Sequence, residues 1–485
     1  MSTNRPWTVV ALMLAMFMAA LEATVVSTAM PTIVGELGGI ESYAGVFTAY
    51  LLTSTVPVPV FGKLADMYGR RPLLLGGIGV FLLGSILCGT ATSMNALIAF
   101  RALQGIGAGA MMPIAITVVG DLFTFEERAR IQGLFGSVWG VAGMIGPFLG
   151  GLIVKHLSWP WVFLVNVPFG LLSAFLLVRF LHEKVERKKH VLDFGGAFAV
   201  TGAVVALLVA ARGGQRALLA LPIGVALLVI LYFVERRATE PILPIPLFRR
   251  RVMSVSSAAG ALIGSAMYGC ITFVPLFVQA VRGGSPTRAG ATIAPMIVAW
   301  PVASAIAGRL LPRFGFQVIV RLGLLMSAAG AAGVAVFLHA DGSLVPTWIA
   351  MGIFGIGLGF ANTALVIAVQ TSVSWQERGV ATASTLFFRS VGGALGLGAA
   401  GGILIASISG IPGVPRNAAD KLLGPDHGAS LDPAILAKLS ASLEHGLTTV
   451  FWFVFALAAA AFLLSLLFPR VVPAPETPAN GVPAA

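Results

Sequence analysis

Apolar residues fall along this chain in long blocks of roughly twenty positions, set apart by short polar segments. A block of about twenty apolar residues is what a helix needs to cross a hydrocarbon core of about 30 Å. Such blocks lie near 7–34, 43–62, 73–92, 95–119, 131–154, 162–181, 195–212, 218–234, 252–280, 289–311, 318–339, 346–370, 380–407 and 446–468. Several contain Pro or Gly, which helices tolerate inside a bilayer. The pattern predicts an all-α integral membrane protein of about fourteen transmembrane helices.

Composition supports the pattern. A soluble chain of 485 residues would form two or three domains, but 57% of these residues are hydrophobic and only 10% are charged. The mean hydropathy is +0.94. So few charges cannot cover a water-facing surface. The 58 glycines suit helices whose backbones approach closely.

A net charge of +12 would suggest nucleic acid as a partner in a soluble chain. Here most Lys and Arg sit in the short segments that share a side with both termini, such as Arg70, Arg71, Arg187, Lys188, Lys189, Arg249, Arg250 and Arg251. Positive residues mark the cytoplasmic side. Both termini are therefore predicted cytoplasmic, in a cell (inner) membrane, with no nucleic-acid role. Cys88 and Cys270 both lie within apolar blocks, so no disulfide framework is expected. The first block is too long for a signal-peptide core and no small-residue cleavage site follows, so it reads as a retained helix.

The chain also repeats itself. Gln104-Gly105-Ile106-Gly107-Ala108-Gly109 matches Phe354-Gly355-Ile356-Gly357-Leu358-Gly359 at an offset of 250 residues, from 104 to 354. Glu127-Arg128 aligns with Glu377-Arg378, and Gly143 and Gly146 with Gly393 and Gly396. Gly62-Lys63-Leu64, ending at Gly69, echoes Gly308-Arg309-Leu310, ending at Gly315. Two parallel repeats of about six helices are a transporter signature. The expected organisation is a six-helix bundle over 1–181, two linker helices within 182–251, and a second bundle over 252–470. An extracellular loop is expected at 408–445, and a disordered cytoplasmic tail over 471–485.

Glu22 is the carboxylate that falls deep inside a block, and an ionisable group there is a functional-site hypothesis by default. At 1.5 Å per residue it lies roughly 22 Å from the terminal side, and Arg101 roughly 28 Å, so the two can meet. Burial favours a neutral carboxyl while a nearby cation favours an ionised one, so such a pair can load and release a proton. The alternative is a static ion pair that fixes packing. The isolation of Glu22 favours proton coupling. Gln104 shares the face of Arg101 one turn on, as ligand or as packing glue. Met18 shares the inward face of Glu22 and is a candidate contact for substrate, although a filler role explains any single Met equally well. Arg389 lies about ten residues into its block, either binding an anionic group or reaching for the interface.

Two further segments stand out. Gly62-Lys63-Leu64-Ala65-Asp66-Met67-Tyr68-Gly69-Arg70-Arg71-Pro72 reads as a tight cytoplasmic loop with an acid and paired arginines. The fifth block carries Gly143, Gly146, Pro147, Gly150 and Gly151, a smooth helix face with a hinge or seal at the Gly-Pro pair.

These motifs together resemble the major facilitator superfamily and, within it, the fourteen-helix drug–proton antiporter family. The 62–72 segment resembles the superfamily's signature loop. Arg101 to Gly107 resembles its fourth-helix motif, whose arginine is associated with proton coupling. Gly143 to Gly151 resembles its antiporter motif. Leu21 to Pro31 resembles the family's first-helix motif, and Trp159 to Pro168, with Asn166, the start of its sixth helix; Asn166 joins the candidate substrate contacts. The chain departs from the family in having Glu22 where Asp is usual, Ser27-Thr28 where Asn-Val is usual and Pro160 where Arg is usual. The second copy of the loop has Pro312 at the position of Asp66.

The resemblance implies a proton-coupled exporter of amphipathic, largely apolar or monocationic compounds. Its partners would be the small-molecule substrate, protons and the bilayer, with no cofactor, no metal and no enzymatic activity; a periplasmic adaptor is left open. The alternatives are an exporter of a lipid or one dedicated metabolite, and a non-transporting scaffold or receptor on the same fold. An ATP-driven pump is disfavoured because no Gly-x-x-x-x-Gly-Lys-[Ser/Thr] sequence occurs.

Overall fold

Capping chemistry opens several of the long helices. Asn4 accepts a hydrogen bond from the Trp7 amide at 3.4 Å, just before Pro6, and starts α1 (Arg5–Leu37). Ser93 does the same for Ala96, Ser285 for Arg288 ahead of Pro286, and Asp432 for Ala434 ahead of Pro433. A short oxygen-bearing side chain satisfies an orphan amide, and Pro at the first turn has no amide to lose.

The computed structural model describes residues 3–123, 125–183, 193–211, 215–238, 243, 245–374, 377–409, 411, 415, 418–423 and 432–471. After α1 come α2 (Tyr43–Thr55), α3 (Val58–Tyr68), α4 (Arg70–Gly89), α5 (Met94–Leu122), α6 (Phe125–His156), α7 (Trp161–Leu164) and α8 (Asn166–Phe180). Then follow α9 (Phe194–Ala211), α10 (Gln215–Arg237), α11 (Arg251–Ala280) and α12 (Pro286–Phe337). The series closes with α13 (Val345–Thr371), α14 (Arg378–Ile408), α15 (Ala418–Leu423) and α16 (Pro433–Ser465).

Among the described residues, 11 helices are long and apolar enough to cross a membrane. The 52-residue α12 breaks at Gly315 and makes two passes. The shorter apolar α9 makes one more, as do α2 and α3 together, which are interrupted at Val56 and Pro57. The fourteen passes expected from the hydrophobic pattern are all present, and the chain is a multi-pass membrane protein.

Two segments differ from the sequence reading. The 62–72 segment is not a loop: α3 continues through Tyr68 and α4 begins at Arg70, with Gly69 alone reversing the chain. Its φ of 98° lies where a β-carbon is strained, so glycine makes the one-residue turn. Gly315, with φ 76°, does the same in the second repeat. The 408–445 segment is likewise not wholly a loop, because α15 lies within it and α16 starts at Pro433. The capped, mixed-polarity turn after Asp432 is helix that continues past the apolar block, so a search for apolar length overlooks it. The 184–192 charge run, the 472–485 tail and the side chain of Asp66 lie outside what the structure describes.

The passes form two bundles. Leu12, Phe81, Met111, Ile114 and Leu177 fill the first at the terminal side. A larger apolar core runs from Val25, Ala29 and Ile33 of α1 into Phe273, Phe277, Ile297, Phe354 and Phe451 of the second bundle. The bundles thus share a core on the side opposite the termini. There α6 lies against the first half of α12, so closely that a β-carbon on Gly290 would stand 2.7 Å from the Pro147 carbonyl oxygen. Gln279 donates to the Thr28 carbonyl at 3.0 Å, and Tyr43 to the Thr272 carbonyl at 2.9 Å. From α15, Asp420 accepts from the Ile40 amide at 2.9 Å. The extra helices sit at the seam, with Val200 and Val204 of α9 packed among Leu51 and Leu52 of α2 and Phe387 of α14. Leu218, Leu219 and Phe233 of α10 are exposed, as a lipid-facing helix requires.

Candidate functional site

The polar centre of the first bundle begins with a spacing. Arg101 and Gln104 are three residues apart on α5 and so project from one helix face. That face is overlaid by glycines. A β-carbon on Gly84 would come within 2.5 Å of the Gln104 Cα, and one on Gly105 within 2.6 Å of the Tyr50 carbonyl oxygen. Without side chains there, α4 and α2 close on α5 tightly enough to put Ser85 and Tyr50 against the two polar residues.

The resulting network is buried and continuous. Arg101 Nη1 makes an ion pair with Glu22 Oε1 and donates to Gln104 Oε1 at 2.7 Å. Gln104 Nε2 donates in turn to Ser85 Oγ at 2.7 Å. Asn166, at the start of α8, donates through Nδ2 to Glu22 Oε2. The Tyr50 ring lies under the guanidinium, 4.2 Å from centroid to Cζ. Glu22, Gln104 and Asn166 are 0% exposed and Arg101 1%. Charges so far from water persist only when paired and hydrogen-bonded, and here both conditions hold. Ionised, the pair sums to zero charge. A proton on Glu22 would leave the guanidinium to Gln104 and the Tyr50 face.

The structure thus brings together Glu22, Arg101, Gln104 and Asn166, and adds Ser85 and Tyr50, which the sequence reading missed. A lone Ser or Tyr in an apolar block gives no sign of which helix it will meet. Asn166 is engaged by Glu22, not by an open cavity. Met18 is fully buried in the core of the first bundle, so the packing role, and not a cavity face, is what its position fits.

The other candidates fall into separate groups. At the Gly69 turn, the Glu183 carboxylate accepts from the backbone amides of Arg70 and Arg71 at 2.8 and 3.0 Å. Arg70 also pairs with Asp121 at 2.9 Å, and Arg71 Nη2 donates to the Val178 carbonyl at 2.6 Å. Glu183, just past the end of α8, was not singled out in the sequence, yet it caps α4. A β-carbon on Gly62 would meet nothing within 4 Å. In α6, Gly146 and Gly150 face Thr24, Val25 and Thr28 of α1, while Gly143 and Gly151 face Ile297 and Thr287 of α12. The helix is continuous through Pro147, so its glycines serve close packing on two sides. Arg389 of α14 donates to Asn362 Oδ1 of α13 at 2.6 Å and makes no hydrogen bond to the Glu22 network among the described residues.

Residues 12–397 match the sequence profile of the Major Facilitator Superfamily. The multidrug transporter protein MdtP of Bacillus subtilis is 40% identical over 415 residues, which span 83% of this chain and 76% of that one. Multidrug resistance protein 3 of the same organism is 37% identical over 399 residues, 80% of this chain and 77% of its own. In three dimensions the fold is similar to a bacterial homolog of the human lysosomal transporter Spinster, solved inward-facing and unoccupied. That similarity has a TM-score of 0.68 at 18% identity and covers 97% of this chain and 99% of the other. The helical repeat, the paired bundles and these relatives agree, and the chain belongs to the major facilitator superfamily of membrane transporters.

Proposed function

We propose that this transporter is a proton-coupled exporter of amphipathic, largely apolar or monocationic compounds, working by alternating access. The observation that carries the proposal is the fully buried Glu22, held by Arg101 and Asn166 at the heart of one bundle. A carboxylate in that position is costly to keep ionised and costly to leave unpaired, so a functional use accounts for its presence. Its relatives' description as multidrug transporters supports efflux as the direction.

In the proposed cycle Glu22 takes a proton when the cavity opens outward and yields it when the cavity opens to the cytoplasm. Arg101 sets how tightly the proton is held. Gln104 and Asn166 keep both partners oriented in each state. In this reading the termini are cytoplasmic, so closure on the side opposite them corresponds to the inward-facing stage of the cycle. Release to the cytoplasm then frees the carrier for cargo.

The test uses purified protein in vesicles with an imposed pH gradient and a lipophilic cationic dye. Wild type is expected to move the dye uphill, and Glu22→Gln to lose uphill movement by at least about tenfold while keeping its fold. A Glu22→Gln variant that accumulates dye at the wild-type rate would sink the proton role. Wild type that moves no dye would point instead to a lipid or dedicated cargo.

A further inference from the structure

Arg389 is a cation in a place where cations are normally neutralised. It sits eleven residues into α14, about 16 Å along the helix from Arg378 at 1.5 Å per residue. Its stem fills the space left by two glycines of α11. A β-carbon on Gly264 would stand 2.8 Å from Arg389 Cγ, and one on Gly260 3.9 Å from Cβ. At its head, Nη1 donates to Asn362 Oδ1 at 2.6 Å. Among the described residues no carboxylate forms an ion pair with it. Tyr268 lies one helical turn along α11 from Gly264, on the face that packs against Arg389.

Contrast with Arg101 makes the point. Arg101 is fully enclosed and meets a carboxylate, an amide and a Tyr face. Arg389 is held by one neutral amide and keeps part of its surface open. A guanidinium carries five N–H donors, so a single side-chain acceptor leaves most of them unused. It also lies on the inward side of the second bundle. Tyr268 packs against Gly393 and touches the apolar seam that includes Leu51 of the first bundle. Gly393 is one helical turn from Arg389, so the two share a face of α14. Arg389 therefore faces the zone where the two bundles meet, not the lipid.

We propose that Arg389, with Asn362 and Tyr268, is a binding site for the acid group of an amphipathic cargo, a single carboxylate or phosphate on an otherwise apolar body. The guanidinium fork matches the two oxygens of such a group, and Arg presents both donors in one plane. Asn362 holds the fork in place, and the Tyr268 hydroxyl is an additional donor for the bound anion. The apolar walls of the seam take the rest of the molecule. The proposal rests on the exporter reading and adds acid-bearing and zwitterionic compounds to its cargo. The same acid chemistry could arrive as a dissolved cargo or as a lipid headgroup entering from the bilayer.

The experiment is equilibrium binding to the full-length protein in nanodiscs, which needs no transport and so fails or succeeds apart from proton coupling. The probes are a rhodamine dye with a free carboxylate and its methyl ester, identical but for the acid. Wild type is expected to bind the acid at least about tenfold more tightly than the ester, the scale of one charge-assisted hydrogen-bonded contact. Arg389→Gln should abolish that preference and leave ester binding unchanged, while Arg389→Lys should restore part of it. Equal binding of acid and ester by wild type overturns the proposal, as does a loss of both probes alike in Arg389→Gln when Arg389→Lys does not recover the preference. Nanodiscs of phosphatidylcholine alone and with phosphatidylglycerol separate the sources. A preference that survives phosphatidylglycerol marks dissolved cargo, and one that phosphatidylglycerol competes away marks a lipid headgroup at the same site.

Discussion

Glu22 and Arg101 stabilise one another only as a pair, and their energetics follow from that. Removing one partner of a buried ion pair leaves a bare charge and costs about 3–5 kcal/mol, whereas replacing both by apolar groups is often neutral. Arg101→Leu is therefore expected to lower the thermal midpoint of the detergent-solubilised protein sharply. The double variant Glu22→Gln with Arg101→Leu should recover most of the loss. A double variant no more stable than Arg101→Leu alone would mean the two residues are not energetically coupled. Ser85→Ala should do little, about 1 kcal/mol for one neutral hydrogen bond. At this scale the sequence was informative where chemistry was rare. Glu22 stood out as a carboxylate in an apolar block, and Arg101 and Gln104 followed from helix spacing. Ser85, Tyr50 and Asn362 did not, because which helix a lone hydroxyl or amide meets is decided by packing across the bundle.

Among the helices, single glycines replace loops. Gly69 turns α3 into α4 in one residue, and Glu183 then caps the new helix by accepting from two consecutive amides. A carboxylate on the exposed amides of a first turn satisfies donors and opposes the helix dipole. Glu183→Ala should therefore destabilise the protein by about 1 kcal/mol, with Glu183→Gln intermediate. Thermal unfolding of the three proteins side by side checks the order. The helical blocks were almost all legible from hydrophobic length, and Gly69 from its place in the repeat. The extension of α16 back to Pro433 was not, since polar helix outside the bilayer carries no length signal. In α6 the glycines fit α1 on one side and α12 on the other. A Val at Gly151 would force its β-carbon onto Thr287 and push the bundles apart. In that variant a cysteine placed at Ala44, on the side opposite the termini, should react faster with a membrane-impermeant thiol reagent. An unchanged rate would show that the α6–α12 contact does not hold this side shut.

Taken whole, the molecule is an unequal duplicate. The repeat legible in the sequence reappears as two bundles, but Arg101 and Gln104 align with Met351 and Phe354, which are buried and apolar. The proposed proton site therefore lies in one bundle alone, and this asymmetry has an electrical consequence. The Glu22–Arg101 pair is neutral when ionised and carries one positive charge when protonated. With one proton per cycle, a monocationic cargo leaving for a proton entering moves no net charge, so export should be indifferent to voltage. A zwitterionic cargo leaving for the same proton moves one positive charge inward. Its export should quicken as the interior becomes negative, with about 2.3 kcal/mol of driving force for each 100 mV. Potassium-diffusion potentials in vesicles, applied to a cationic dye and a zwitterionic one, would reveal a single carrier that is blind to the membrane potential with one substrate and driven by it with another.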